Sequence, residues 1–193
     1  MKKYLISIGL ILTIALLSSC SAKKYDLSSK PTVVFKTTMG DVKIGFYKKA
    51  APKSVELFLK LCKEKRYSNT LIDEILNLPP SNFLISMGGT VKWEAIDDAA
   101  RKELELEIVQ KDKKIEKGEL LYSAKNEVFG FFSINTNSTA IERNEEDVKT
   151  DPIIIFGKVI DGDKVLSDMM SLRVDSNFIP LEEVKILDVE VVE

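Results

Sequence analysis

The chain has 193 residues, 28 Lys+Arg against 30 Asp+Glu, and no histidine. The length suits one domain plus a targeting segment, and 45% hydrophobic with 30% charged residues marks a globular chain. A net charge of −2 gives nucleic acid no global attraction. The missing histidine excludes Ser-His-Asp and Cys-His nucleophiles, HExxH zinc sites and any imidazole proton shuttle.

Lys2 and Lys3 open the chain, residues 4–17 are almost wholly apolar, and Leu17-Ser18-Ser19-Cys20 closes the stretch. The apolar run falls short of the roughly 20 residues a spanning helix needs, which favours a cleaved signal. Its ending resembles the bacterial lipoprotein lipobox, and that resemblance implies acylation of the Cys20 sulfur after removal of residues 1–19. The other reading is an ordinary secretory signal with an incidental cysteine. Cleavage before Cys20 leaves 174 residues and a balance of −4, because only Lys2 and Lys3 are lost among the charged residues. Cys62 is then the one free thiol of the folded part. Residues 20–31 are expected to be the lipidated cysteine and a polar tether, and 32–193 the folded domain. The expected location is an exported protein lipid-anchored to the cell membrane or the outer membrane.

Residues 32–38 are β-rich, Met39-Gly40-Asp41 makes a turn, and 42–47 alternates again, which predicts a hairpin. Ala51-Pro52-Lys53-Ser54 opens a helix with proline in the first turn, and Val55, Phe58, Leu59 and Cys62 recur at helical spacing. Strands are predicted over 71–76 and 83–87, with Pro79-Pro80 between them. The charged stretch 96–119 alternates at Leu104, Leu106, Ile108 and Ile115, which suggests one half-buried edge segment with its Lys and Glu residues on a solvated face. Further strands are predicted over 120–124, 129–134 and 153–159. A second helix over 162–172 turns Val165, Leu166, Met169 and Met170 inward. The last strand alternates at Val184, Ile186, Val189 and Val191. This order fits a mainly β fold, a barrel capped by two helices.

Several strings in this order resemble the cyclophilin family. Val33-Val34-Phe35-Lys36-Thr37-Thr38-Met39-Gly40-Asp41 is similar to its first hairpin, and Ala51-Pro52-Lys53-Ser54-Val55-Glu56-Leu57-Phe58 to its "APKTVENF" helix start. Phe83-Leu84-Ile85-Ser86-Met87-Gly88-Gly89 resembles "FMIQGG", Phe131-Phe132 a paired aromatic strand, and Ile155-Phe156-Gly157-Lys158-Val159-Ile160-Asp161-Gly162 "VFGKVIEG". Each string alone is weak; the ordered set over 32–193 is specific. The resemblance implies a closed antiparallel eight-stranded barrel with two capping helices and X–Pro isomerisation.

That reaction crosses an amide barrier of about 18–20 kcal/mol. It needs a dry apolar pocket and a donor aimed at the prolyl nitrogen, with no base, cofactor or metal. The resemblance places the family's donor arginine, in an "FHR" string, at Glu74 of Ile72-Asp73-Glu74. Ionised carboxylates only accept hydrogen bonds, so the donor is lost there. The family's Phe, Met and Gln positions fall on Leu84, Ile85 and Met87, its pocket Phe on Phe132, its Trp or Phe near Val148, and its His on Ile153. Its "MAN" string falls on Tyr122-Ser123-Ala124, or on Ser123-Ala124-Lys125-Asn126 if shifted by one. The expected groove is therefore Leu84, Ile85, Met87, Ser123, Phe132 and Ile153, with Arg66 or Arg101 as an alternative donor.

Cys62 reads as a buried small hydrophobe, the acidic run Glu142, Glu145, Glu146, Asp147 and Asp151 as a solvated loop, and Trp93 as packing or part of a binding surface. Three functions are open to such a chain. It is a membrane-anchored cyclophilin-like protein that binds proline-containing peptide or protein segments with lost or weak isomerase activity, or an active isomerase for exported proteins, or a non-catalytic scaffold.

Overall fold

A computed structural model describes residues 25–78, 82–89, 94–126 and 128–193. The signal segment, Cys20, Pro79, Pro80 and Trp93 lie outside the described residues.

Strands β1 (Thr32–Thr37) and β2 (Gly40–Phe46) form the predicted hairpin, with Gly40 at φ 125°, a conformation open chiefly to glycine. Helix α1 (Pro52–Lys63) follows, then β3 (Thr70–Leu78), β4 (Asn82–Met87) and the short β5 (Glu94–Ala95). Helix α2 (Asp98–Glu105) leads to β6 (Glu119–Ser123), β7 (Val128–Phe129) and β8 (Phe132–Asn135). Helix α3 (Glu145–Thr150), β9 (Ile153–Asp161), α4 (Asp163–Met170) and β10 (Lys185–Val192) complete the chain. Eight strands close an antiparallel barrel in the order β1-β10-β3-β4-β8-β6-β9-β2, and β5 pairs with β7 outside it.

The helices α1 and α4 cap opposite ends. At the start of β2, a Cβ on Gly40 would lie 2.8 Å from Val165 of α4; at its end, Phe46 stacks 5.7 Å from Phe58 of α1. Phe58 is the hub of an aromatic cluster with Phe35, Tyr67, Phe132 and Phe156, at centroid distances from 5.1 to 6.2 Å. Edge-on and tilted contacts of this kind add to the area the rings bury. Cys62 is buried in the same core, and burial pushes its thiol pKa well up.

Sequence expectations fail locally in two stretches, 96–119 and 129–134. The first part of 96–119 is helical and only isolated bridges, Ile108 to Ile154 and Ile115 to Ile141, stand for the edge segment: Asp97 caps α2 by accepting from the Ala100 N–H at 2.7 Å, and Ala99-Ala100-Arg101-Lys102-Glu103-Leu104 are mostly strong helix formers. Leu104 packs inward, whereas Leu106 is 77% exposed. Nor is the face uniformly solvated. The Glu107 carboxylate is buried and accepts from Lys53 N, Ser54 N and Ser54 Oγ at 2.5 to 3.0 Å, which satisfies the orphan donors at the start of α1. Glu119, 1% exposed, accepts from Lys113 Nζ at 2.8 Å, Tyr47 OH at 3.1 Å and Glu116 N at 2.8 Å. The strand predicted over 129–134 is interrupted, because Gly130 at φ 146° turns β7 away from β8.

The acidic run is also more ordered than a loop. Asn144 and Asp147 exchange side-chain to backbone hydrogen bonds in a capping box at the start of α3. Upstream, residues 25–31 lie against the barrel and do not form a free tether. Tyr25 stands edge-on to Tyr47 at 5.5 Å with Lys113 Nζ 5.1 Å above its ring, and Ser28 N–H donates to the Phe46 carbonyl at 2.9 Å.

Candidate functional site

Strand alternation decides which predicted groove residues share a face. Register pairs Ile85 with Ile134 and Met87 with Phe132, and all four belong to the barrel core. Ile85 is 0%, Met87 5% and Phe132 2% exposed. These three expected groove residues therefore point inward, into the aromatic cluster and beneath α4. Successive residues on a strand face opposite sides of the sheet, and here Leu84 joins the outer cluster while Ile85 joins the barrel core.

The outer face carries the alternate residues. One cross-strand row runs Glu74, Ser86, Ser133, Leu121, Ile155 over β3, β4, β8, β6 and β9. Its first half is polar: the Ser86 and Ser133 hydroxyls bond at 2.8 Å, and Glu74 sits opposite Ser86. Glu74 reaches this face because β3 bulges between Ile72 and Glu74, which makes Asp73 the extra residue. Asp73 accepts from the Gly89 N–H at 2.5 Å, and its carboxyl pKa is raised by burial against the lowering effect of the Gly89 and Gly88 N–H groups. A side chain on Gly89 would collide with that carboxylate at 2.8 Å.

The second half is apolar. Leu84, Leu121, Ile153 and Ile155 join Val109, Ile115 and Ile141 in an outer cluster distinct from the barrel core. A cleft of about 340 Å³ opens on it, with Leu84, Leu121, Ile141 and Ile153 as floor and Glu142, Arg143, Asp147 and Asp151 among its walls. Leu84 and Ile153 line this cleft together, and Ser123 pairs with Ile153 across the β6–β9 ladder. Three strand spacings of about 4.8 Å place Glu74 roughly 14 Å from Leu121 across the face. Arg66 pairs with Glu64 at 2.9 Å just after α1, and Arg101 lies on α2, so neither lines this cleft. The arginine that does is Arg143, on the segment before α3.

Residues 32–191 match the family described as cyclophilin type peptidyl-prolyl cis-trans isomerase/CLD. The chain belongs to this family. Peptidyl-prolyl cis-trans isomerase 10 of Caenorhabditis elegans is 28% identical over 171 residues, covering 83% of this chain and 94% of that protein. Peptidyl-prolyl cis-trans isomerase-like 4 of Emericella nidulans is 25% identical over 170 residues, 80% of this chain but 36% of that protein. The human protein of the same description is 28% identical over 164 residues, 80% of this chain and 31% of its own length. The chain therefore spans about a third of these isomerase-like 4 relatives. A cyclophilin type isomerase of Cryptosporidium parvum superposes with a TM-score of 0.64 at 24% identity, over 84% of this chain and 98% of that one. The same protein solved in the presence of the dipeptide Ala-Pro gives a TM-score of 0.63. At this identity the likeness establishes the shared barrel. On its outer face this cyclophilin presents Glu74 beside two serines, with the apolar cleft at the far end of the same row.

Proposed function

We propose that this cyclophilin is a membrane-anchored lipoprotein of the cell envelope that binds proline-containing peptide or protein segments, with peptidyl-prolyl isomerase activity lost or weak. One observation carries the reading: Glu74 opposes Ser86 on the outer face, leaving an acceptor where isomerisation calls for a donor. A carboxylate has no hydrogen to offer the lone pair that gathers on the prolyl nitrogen as the amide twists. The apolar cleft of Leu84, Leu121 and Ile153 still offers a dry seat for an aliphatic or prolyl side chain. The Ala-Pro dipeptide present with the Cryptosporidium protein makes a proline segment the natural first ligand. Export and anchoring rest on the run from Lys2 to Cys20.

Exchange spectroscopy on an Ala-Pro peptide tests the catalytic half, with the full chain beside Glu74→Arg. The unmodified chain is expected to add little to the uncatalysed exchange rate and the variant to add more. Turnover by the unmodified chain at the level of an ordinary cyclophilin would refute the reading. Mass spectrometry tests the anchor: the mature protein should start at an acylated Cys20, and an intact N-terminus contradicts lipidation.

A further inference from the structure

The wall of the cleft holds a buried guanidinium that makes no ion pair among the described residues. Among the described residues, the buried side-chain nitrogen and oxygen atoms without a hydrogen-bond partner are Thr136 Oγ1 and Arg143 Nη1. Both belong to the segment between β8 and α3, which borders the cleft through Asn137, Ile141, Glu142 and Arg143. Arg143 is 8% exposed. Its Nη2 donates to the backbone carbonyls of Asp147, at 2.6 Å, and Asp151, which fastens the end of α3. No ion pair involves it among the described residues. Buried donors are nearly always satisfied, so an orphan nitrogen on a guanidinium that lines an open cleft points to an acceptor brought by a ligand.

The surroundings specify that acceptor. Three carboxylates share the cleft walls with the one guanidinium: Glu142, Asp147 and Asp151. Glu142 is paired with Lys114 at 2.6 Å and Asp147 is engaged in the α3 cap, but the Asp151 carboxylate has no partner among the described residues. A free anion entering toward Arg143 would meet these charges. A peptide carbonyl is a neutral acceptor and does not. The floor of Leu84, Leu121, Ile141 and Ile153 accepts an apolar side chain, and the acidic rim attracts cations on either side of it.

We propose that Arg143 Nη1 donates to a backbone carbonyl of an extended apolar segment seated in the cleft, and that the rim selects segments flanked by Lys or Arg. This rests on the proposed peptide binding and names the class of segment bound. Arg143 is then both a positioning residue for α3 and a direct ligand contact.

Fluorescence anisotropy with the full chain in detergent tests it, using labelled Lys-Lys-Ala-Pro-Leu-Lys and Glu-Glu-Ala-Pro-Leu-Glu. The basic-flanked peptide is expected to bind about tenfold more tightly at low salt, with the advantage shrinking as salt screens the rim. Asp151→Asn should narrow that preference. Arg143→Lys keeps the charge but cannot hold α3 and reach a ligand together, so it should weaken both peptides about tenfold. Equal affinity for the two peptides, or unaltered binding by Arg143→Lys, overturns the inference while leaving peptide binding intact. Failure of both peptides to bind refutes the peptide-binding reading and the inference with it. If Arg143→Lys melts early, the flank preference and Asp151→Asn decide alone.

Discussion

Replacing Glu119 by Gln should loosen the wall over the outer cluster. The carboxylate receives Lys113 Nζ at 2.8 and 3.0 Å, Tyr47 OH at 3.1 Å and Glu116 N at 2.8 Å, so it holds residues 113–119 down on the barrel. Ile115, which lines the cleft, lies inside that loop. Gln keeps one acceptor oxygen and the shape but loses the charge that Lys113 needs. Removing one partner of a buried ion pair costs about 3–5 kcal/mol. Lys113 is 18% exposed against 1% for Glu119 and can turn toward water, so the loss should fall lower, at about 2–3 kcal/mol. For a domain of this size each kcal/mol moves the midpoint by about 2–4 °C, giving a Tm lower by about 4–12 °C. Thermal unfolding followed by circular dichroism measures the shift, and hydrogen exchange should show residues 113–118 losing protection first. A Tm within about 1 °C of the unmodified chain, equivalent to under about 0.5 kcal/mol, refutes the assignment of Glu119 as the anchor of that loop.

Phe132→Ala should cost about 3–5 kcal/mol in urea denaturation while leaving peptide affinity unchanged in the fraction that stays folded, because the ring lies within the barrel. Leu84→Ala should do the reverse, weakening peptide binding more than stability; a Phe132→Ala chain that folds normally but no longer binds would restore Phe132 to the groove. The Asp188 carboxyl is drawn down to about 2 by the hydrogen bonds from Lys65, the Val189 N–H and Ser68. A lowered carboxyl contributes stability above its unfolded value near 3.9 and loses it as pH falls through about 2, so Asp188→Asn should flatten the pH dependence of Tm between these limits. An unchanged slope contradicts that role. Cys62 should react with a thiol reagent only as fast as the domain opens; rapid labelling of the native protein would contradict its burial.

The barrel was legible because its elements carry strong local signals. Proline at the start of α1, the period-two runs of β1, β2 and β10, and the ordered family strings all report local geometry or shared history. What escaped was decided by partners remote in sequence. Nothing around Glu107 announces that its carboxylate meets the start of α1 more than fifty residues upstream, and Glu119 looks like any surface acid until Tyr47 and Lys113 close on it. The facing of the groove residues was less legible. Matching family strings placed Ile85, Met87 and Phe132 in the groove, although strict alternation from Leu84 turns Ile85 and Met87 inward and their pairing with β8 takes Phe132 along. Arg143 was out of reach because its setting depends on α3, a helix the acidic composition of 142–151 concealed.

The docked segment at 25–31 would set the length of a tether, if Cys20 is acylated as proposed. With Tyr25 held against Tyr47 and Lys113, five residue steps connect Cys20 to the body of the domain. Fully extended, they reach at most about 18 Å. An acyl chain on Cys20 would therefore keep the barrel almost in contact with the headgroups and restrict how far it can turn. Such a protein would meet segments that pass close to the bilayer, as emerging or membrane-tethered chains do, far more often than those diffusing through the compartment beyond.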